Sequence, residues 1–207
     1  MTARARQSAV PASPIRLFCS IRNCPPTAHT WRSTDGRFLL YGEADPKTGR
    51  DLWALPVTGN DRKAITIVNT PFEELNGQFS PDGRWVAYET NESGRFEIVV
   101  QPFPAPTGKW QVSTGGGIQP RWRADGKELY FIAPDGKLMA ASITAGATFA
   151  AGTPVALFPV TVPPGAGSNK QQYAVSRDGR FLINQPVETS NTTAPITLIL
   201  NWKPPAK

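Results

Sequence analysis

The chain of 207 residues is 40% hydrophobic and only 18% charged, and it contains 18 glycines and 21 prolines. So many glycines and prolines argue against long helices, because each disrupts helical geometry for its own steric reason. The low charge and the 10% of aromatic residues exclude a wholly disordered chain, and two cysteines are too few for a small disulfide-held fold. A chain of this length can instead bury a sizeable core, in one domain or two.

The first 29 residues differ in composition from the rest and are predicted to form a disordered, Arg-rich tail. Every charged residue up to position 32 is an arginine, so this segment carries nearly all of the formal net charge of +6. The remaining chain is therefore close to neutral. Because nucleic-acid binding needs basic residues clustered on a folded face, no nucleic-acid partner is expected.

The same tail holds both cysteines and the only histidine. Cys19, Cys24 and His29 are too few ligands for a structural zinc site, so no metal and no cofactor is expected. The two cysteines either form a local disulfide or remain free thiols. Residues 138–169 carry no charge, but glycines and prolines interrupt that run, so no membrane insertion by this chain is predicted.

Four Asp-Gly pairs recur in matching contexts and indicate an internal repeat. They lie at Asp35-Gly36, Asp82-Gly83, Asp125-Gly126 and Asp178-Gly179, spaced by 43 to 53 residues. In the second pair, Pro81 presets the turn, and Gly83 supplies the positive φ that precedes the return strand. A fifth pair, Asp135-Gly136, lacks the surrounding pattern and predicts only a further turn.

The residues after each repeat Asp predict a half-buried return strand, because apolar side chains recur with a period of two. These residues are Leu39 and Tyr41, Val86 and Tyr88, Leu129 and Phe131, and Leu182 and Asn184. Third strands are predicted at 51–57, 96–103, 137–143 and 195–202, and fourth strands at 63–70, 109–115 and 153–160. Repeated units of four antiparallel strands predict an all-β fold, a partial β-propeller of about four blades with the last one incomplete. The predicted propeller segment is 30–207, with blades at about 30–71, 72–117, 118–163 and 164–202.

The run FSPDGRWVAY at 79–88 resembles the repeat of TolB-like, WD40-like (PD40) propellers. In that family an aromatic residue and a Ser-Pro-Asp-Gly turn precede an apolar return strand that ends in an aromatic residue. The resemblance covers about residues 30–202, and the run ITLILNW at 196–202 is similar to the end of large bacterial serine/threonine protein kinases that carry such a propeller. Two repeats depart from the pattern. In the first, Trp31 lies one residue further from Asp35 than Phe79 lies from Asp82, and in the fourth, Val175 replaces the aromatic residue.

The resemblance implies a larger assembly, because family propellers usually close a ring of six or seven blades. The chain is therefore expected to be a fragment or the C-terminal part of a larger protein. Its expected partners are a protein or peptide, the missing blades, or a second copy that pairs through the exposed blade edges. A parent of this family would lie outside the cytoplasm, whereas the chain expressed alone would lie within it.

No catalytic motif is recognisable, so the sequence predicts a protein that is not an enzyme. It has no Gly-x-Ser-x-Gly elbow, no His-Glu-x-x-His, no phosphate-binding loop and no kinase motif. Glu73 and Glu74 are adjacent on a predicted loop, where carboxylates are usually solvated. Binding residues are expected on the connections opposite the Asp-Gly turns, around the channel mouth, because loops on a rigid scaffold concentrate them. The candidates there are Glu73, Glu74, Gln119, Arg121, Gln171 and Gln172.

These features predict a module for protein interaction or ligand sensing. An alternative from the enzyme class is the gating propeller of a prolyl-oligopeptidase-type serine peptidase, a family in which a hydrolase domain follows the propeller. A third possibility is a remnant of a truncated gene.

Overall fold

The computed structural model describes residues 31–60, 62–146, 148–161 and 171–184, and every regular element in these ranges is a β-strand. The predicted tail at 1–29, with Cys19, Cys24 and His29, lies outside the described residues, as does the predicted strand at 195–202. Within the described ranges no helix has the length and apolar character that crossing a bilayer requires.

The strands form four antiparallel sheets that follow one another along the chain, and we call them blades 1 to 4. Blade 1 consists of β1 (Trp31–Arg32), β2 (Phe38–Asp45), β3 (Gly49–Pro56) and β4 (Ile65–Val68). Blade 2 consists of β5 (Glu74–Phe79), β6 (Trp85–Thr90), β7 (Glu97–Pro102) and β8 (Trp110–Gln111). Blade 3 consists of β9 (Ile118–Trp122), β10 (Glu128–Ile132), β11 (Lys137–Ala145), β12 (Phe149–Ala151) and β13 (Val155–Pro159). Blade 4 is described for β14 (Tyr173–Val175) and β15 (Phe181–Ile183).

An Asp-Gly turn joins the first and second strands of each blade, as the repeat predicts. In blade 2, Gly83 has a φ of 71°, and its N–H donates to the Ser80 carbonyl oxygen (2.9 Å). The Ser80 hydroxyl donates to Asp82 Oδ1 (2.6 Å) and accepts from the Trp85 N–H (3.0 Å). Arg84 Nε pairs with Asp82 Oδ2 (2.6 Å). The glycines of the other repeats share the positive φ: Gly36, Gly126 and Gly179.

Blade 3 differs from the prediction in its outer strands. The strand β11 extends to Ala145, and its second half pairs with β12, which the sequence pattern did not predict. Its first half pairs with β13, within the predicted fourth strand at 153–160. The fifth Asp-Gly pair forms the turn between β10 and β11, where the Gly136 N–H donates to the Ala133 carbonyl oxygen (3.0 Å).

Consecutive blades bury their apolar faces against each other, which is the packing of a propeller. Three hydrophobic clusters lie between successive pairs of blades, and their buried members include Leu40, Leu52 and Tyr88, then Trp85, Ile98 and Phe131, then Tyr130, Ile132 and Tyr173. The first strands β1, β5, β9 and β14 lie next to one another and form the inner ends of the blades. These inner strands bring residues of different blades together.

The inner strand of blade 2 approaches blade 1 closely at Gly77. A Cβ atom at this position would lie 2.8 Å from Leu40 Cδ2 and 2.9 Å from Leu52 Cδ1. Because both leucines are buried in the cluster between the two blades, a larger residue would force them apart. A glycine is therefore required by packing here, rather than by the backbone conformation.

A buried carboxylate near the start of the third strand holds the connection to the next blade in blades 1 and 2. Asp51 Oδ2 accepts from Asn69 Nδ2 (2.8 Å), on the connection between β4 and β5. Glu97 accepts from the Ser113 hydroxyl and from the Gly116 N–H (3.0 Å), both between β8 and β9. Each carboxylate thus ties its own blade to the entry of the following one.

Candidate functional site

Four of the six predicted site residues converge where the inner strands of blades 2, 3 and 4 meet. Gln119 and Arg121 lie on β9, and Gln171 and Gln172 directly precede β14. They lie on strands or at strand starts rather than on exposed loops, and all but Gln171 are buried. What we call the central polar cluster contains these four residues and three others: Asn76, Glu89 and Tyr173.

Two residues of the cluster have a left-handed backbone at the same position of the repeat. Asn76 has a φ of 51° and Gln119 a φ of 60°, and each lies six residues before its repeat Asp. Both sit where the pairing of the first and second strands shifts register. Such a backbone is uncommon outside glycine and costs on the order of 1–3 kcal/mol. The register shift takes polar groups out of the strand pairing, so they can contact neighbouring blades.

Glu89, on β6, is the fully buried carboxyl group of the cluster. Its Oε1 accepts from the Gln119 N–H of blade 3 (2.6 Å) and from Asn76 Nδ2. Gln171 Nε2 in turn donates to Asn76 Oδ1 (2.8 Å). Hydrogen bonds therefore connect the entry to blade 4, the inner strand of blade 2 and the inner strand of blade 3.

Gln119 joins blades 3 and 4 through both its main chain and its side chain. Its Oε1 accepts from the Gln172 N–H (2.8 Å), and its carbonyl oxygen accepts from the Tyr173 hydroxyl (2.8 Å). Gln172 Oε1 accepts from Asn184 Nδ2 (3.0 Å). Burial raises the pKa of the Tyr173 hydroxyl well above its usual range, so this group stays a hydrogen-bond donor.

Arg121 is the buried cation of the cluster and contacts three other blades. Its guanidinium carbon lies 4.2 Å from the centre of the Trp31 ring in blade 1, and its Nε donates to the Tyr173 carbonyl oxygen (3.4 Å). With the Gln78 amide nitrogen turned to donate to the Pro120 carbonyl oxygen (3.1 Å), the Gln78 oxygen accepts from Arg121 Nη1. Burial lowers the pKa of Arg121 to about 10, which leaves it protonated at neutral pH.

Two buried oxygens of the cluster have no hydrogen-bond partner, namely Glu89 Oε2 and Gln171 Oε1. Burial is the main cause that raises the pKa of Glu89 to about 8, against the lowering effect of its bonds from Gln119 and Asn76. Near neutral pH the carboxyl group is therefore largely protonated. Because Oε1 accepts two hydrogen bonds, the proton lies on Oε2, so the cluster offers a bound molecule one donor at Glu89 and one acceptor at Gln171 Oε1.

The prediction that Glu73 and Glu74 are solvated loop carboxylates is wrong for Glu74. Glu74 is the first residue of β5 and is 1% exposed, and its Oε1 accepts from the Thr70 hydroxyl. Burial raises its pKa to about 7. Glu73 precedes the strand, is half-buried, and its N–H donates to Asn91 Oδ1 (2.9 Å). Neither side chain bonds to the central polar cluster, because both lie beside blade 1.

Sequence reasoning missed Asn76, Glu89 and Tyr173, although a signal existed for the first. Asn76, Gln119 and Gln172 occupy the same position in three repeats, which marks a recurrent side-chain amide. Glu89 has no such signal, because the equivalent positions hold Gly42 and Ile132. In the described part of the chain, no group of three or more His, Cys, Asp or Glu side chains is placed to hold a metal ion.

No family model matches the sequence, and no curated protein matches it. Solved structures do match. TolB from Acinetobacter baumannii superposes with a TM-score of 0.53 at 15% identity, over 73% of this chain and 35% of that one. A putative TolB from Agrobacterium tumefaciens superposes with a TM-score of 0.57 at 16% identity, over 77% of this chain and 57% of that one. A putative 6-phosphogluconolactonase from Bacteroides uniformis superposes with a TM-score of 0.52 at 15% identity, over 76% of this chain and 47% of that one.

At these identities the likeness shows the fold alone. The chain forms an all-β, TolB-like propeller segment of about four blades, the fourth described for two strands, which confirms the predicted fold class. It spans between 35% and 57% of the length of these three structures.

Proposed function

We propose that this chain is a non-enzymatic propeller module that binds a protein or small ligand on the face opposite the Asp-Gly turns. The main supporting observation is that polar side chains from three blades converge there and leave two buried groups without partners, the Glu89 Oε2 hydroxyl and the Gln171 Oε1 acceptor. An unsatisfied buried polar group costs about 1–3 kcal/mol. A molecule that accepts from the Glu89 hydroxyl and donates to Gln171 Oε1 would recover part of that energy.

The contacts of the ionisable groups favour binding over catalysis. Glu89 accepts hydrogen bonds from the Asn76 side-chain amide and the Gln119 main-chain amide, which fix its position and do not activate it as a base. Arg121 is stacked on Trp31 and bonded to main-chain oxygen, so its charge is already engaged. The cluster therefore supplies a rigid set of hydrogen-bonding atoms.

NMR spectroscopy with defined ligands tests this proposal. A chain labelled with ¹⁵N is titrated with a panel of N-acetyl tripeptides, amino sugars and polyamines. We expect saturable changes in the side-chain amide signals of Gln119 and Gln171, and affinity reduced about tenfold by Gln171→Ala. The matched control is Gln111→Ala, on the outer strand β8, which should leave binding unchanged.

Three outcomes contradict the proposal. The first is a panel with no saturable response at the cluster, and the second is binding that Gln171→Ala leaves intact. The third is hydrolysis of 6-phosphogluconolactone above a heat-inactivated control, an activity suggested only by the name of one structural neighbour. That activity would replace the non-enzymatic role with an enzymatic one.

The segment is also proposed to work within a larger TolB-like or kinase-linked protein. Its span of 35% to 57% of the matched structures supports a longer parent. The flanking DNA provides the test. A kinase domain and a membrane helix encoded upstream would support the kinase-linked parent, whereas a hydrolase domain downstream would favour the gating propeller of a peptidase.

A second copy of the chain is proposed as a partner at the exposed apolar side chains of β13 and β15. The aliphatic side chains of Val155, Leu157 and Leu182 are exposed, and Leu182 is 76% exposed. Burying them in a homodimer would be favourable, at about 25 cal/mol per Å² of apolar surface. Light scattering should then give the mass of two chains, and Leu182→Asp should give one. A monomer at every concentration contradicts the dimer.

A further inference from the structure

Two carboxylates from different blades lie buried beside the connection between blades 1 and 2. Asp51 belongs to β3 and is 2% exposed, and Glu74 is the first residue of β5 and is 1% exposed. They are outside the central polar cluster, but the connection between β4 and β5 that holds them lies on the same face, opposite the Asp-Gly turns. Removing two carboxylates from water is costly unless each gains a compensating charge or a full set of hydrogen bonds.

Two consecutive residues hold one oxygen of each carboxylate. Asn69 Nδ2 donates to Asp51 Oδ2 (2.8 Å), and the Thr70 hydroxyl donates to Glu74 Oε1. The Thr48 hydroxyl also donates to Asp51 Oδ2 (2.7 Å). Because Asn69 and Thr70 are consecutive, one short stretch of the connection holds a carboxyl group from each blade, and the charge of Asp51 acts on Glu74.

The other oxygen of each carboxylate, Asp51 Oδ1 and Glu74 Oε2, is buried and has no hydrogen-bond partner. Burial, and to a smaller extent the charge of Asp51, raises the pKa of Glu74 to about 7. The groups that hold the two carboxylates are neutral hydroxyl and amide donors. Glu92, whose charge also raises the pKa of Glu74, is paired with Lys109. Two acidic groups thus lie near each other, and within the described residues neither forms an ion pair.

We propose that Asp51 Oδ1 and Glu74 Oε2 bind one hard divalent cation of the Ca²⁺ type between blades 1 and 2. Carboxylate oxygens are the ligands such cations prefer, and water or main-chain oxygens complete their flexible shell of six to eight ligands. The Asn69, Thr48 and Thr70 donors hold the carboxylates in place. The ion joins the two blades, and this site departs from the sequence prediction of no metal.

Calcium titration of the chelator-treated chain tests the site. With two carboxylates, the dissociation constant is expected at about 10⁻⁴–10⁻³ M. At roughly twenty times that constant, Ca²⁺ should raise the melting temperature by about 4–7 °C. Asp51→Asn and Glu74→Gln should each abolish the rise. Glu73→Gln, which changes the adjacent half-buried carboxylate, is the matched control and should retain it.

A second measurement covers variants that fail to fold. Trp53 lies two residues from Asp51 on β3, so Tb³⁺ bound by the unmodified chain should show emission sensitised by tryptophan, and Ca²⁺ should quench that emission by competition. The proposal is overturned if Ca²⁺ produces neither stabilisation nor competition with Tb³⁺. It is also overturned if the double variant Asp51→Asn/Glu74→Gln still binds Ca²⁺, or if Glu74 merely takes up a proton at neutral pH and Ca²⁺ does not displace it.

Discussion

Arg121 of blade 3 stacks on Trp31 of blade 1, although blade 2 lies between these blades along the chain. A guanidinium over an indole ring gains from the electrostatic attraction of the ring face and from the burial of two flat surfaces. Because the remaining contacts of Arg121 reach blade 4 and blade 2, one side chain fixes the relative positions of all the described blades at their inner ends.

Arg121→Lys should destabilise the fold by about 1–2 kcal/mol, because an ammonium group neither stacks as a plane nor donates in several fixed directions. The free energy of unfolding from urea denaturation measures this loss. Arg123→Lys is the matched control, since Arg123 is an exposed arginine paired with Asp125 and Glu128, and it should change stability by less than about 0.5 kcal/mol. Equal effects of the two substitutions would contradict a special role for Arg121.

Glu89 should make the fold less stable as pH rises. Its pKa is about 8 in the fold against 4.5 for a glutamate in water, so in the unfolded chain Glu89 loses its proton at a lower pH. The contribution of Glu89 to stability is full below about pH 4.5 and declines until about pH 8. The free energy of unfolding should fall by on the order of 1.4 kcal/mol per pH unit in that window.

Glu89→Gln isolates this effect, because the amide keeps an oxygen that accepts from the Gln119 N–H and does not titrate. Urea denaturation at pH 5, 6, 7 and 8 measures the free energy of unfolding of both proteins. The value for the unmodified chain, relative to that for Glu89→Gln, should fall as pH rises. Glu74, with a raised pKa of its own, is present in both proteins and cancels in the comparison. Parallel curves would show that Glu89 is already ionised at pH 5.

Gly83→Ala should cost about 1–2 kcal/mol. Gly83 has a φ of 71°, and no atom lies within 4 Å of a Cβ built there, so the cost comes from the left-handed backbone alone. Gly115→Ala is the control, because Gly115 has equally open surroundings and no positive φ; it should be nearly neutral. Thermal unfolding of both variants measures the difference, and equal melting temperatures would refute the assignment of strain.

Gly77→Ala should destabilise the fold by about 1–3 kcal/mol for a different reason, overpacking between blades 1 and 2. The new methyl group would meet Leu40 and Leu52 at under 3 Å. A double-mutant cycle with Leu40→Ala tests the contact, because the smaller residue makes room for the methyl group. We expect a coupling of about 1 kcal/mol or more. Additive effects would place the clash elsewhere.

The repeat architecture could be predicted because its signals are local. The turn at Asp82-Gly83 depends on residues within one hairpin, and the alternation at Val86 and Tyr88 reports one buried face. The proximity of Gln119 and Gln172 could also be predicted from the sequence, because the topology alone places the inner strands next to one another. The burial of Glu89 could not be predicted, because it results from packing of β5, β6 and β9 that no single repeat encodes. Glu74 was misjudged because the strand starts one residue earlier than the loop pattern indicated.

The contacts of the Asp51 and Glu97 carboxylates bear on how chains of this architecture gain and lose blades. Each carboxylate accepts hydrogen bonds from the connection that follows its own blade. The same stretch of the gene therefore encodes the carboxylate and its hydrogen-bond donors. Duplicating or deleting that stretch does not separate a buried carboxylate from these donors. The repeating unit of this architecture is therefore a sheet together with its outgoing connection, and a change in the number of units keeps the hydrogen-bond donors of each buried carboxylate.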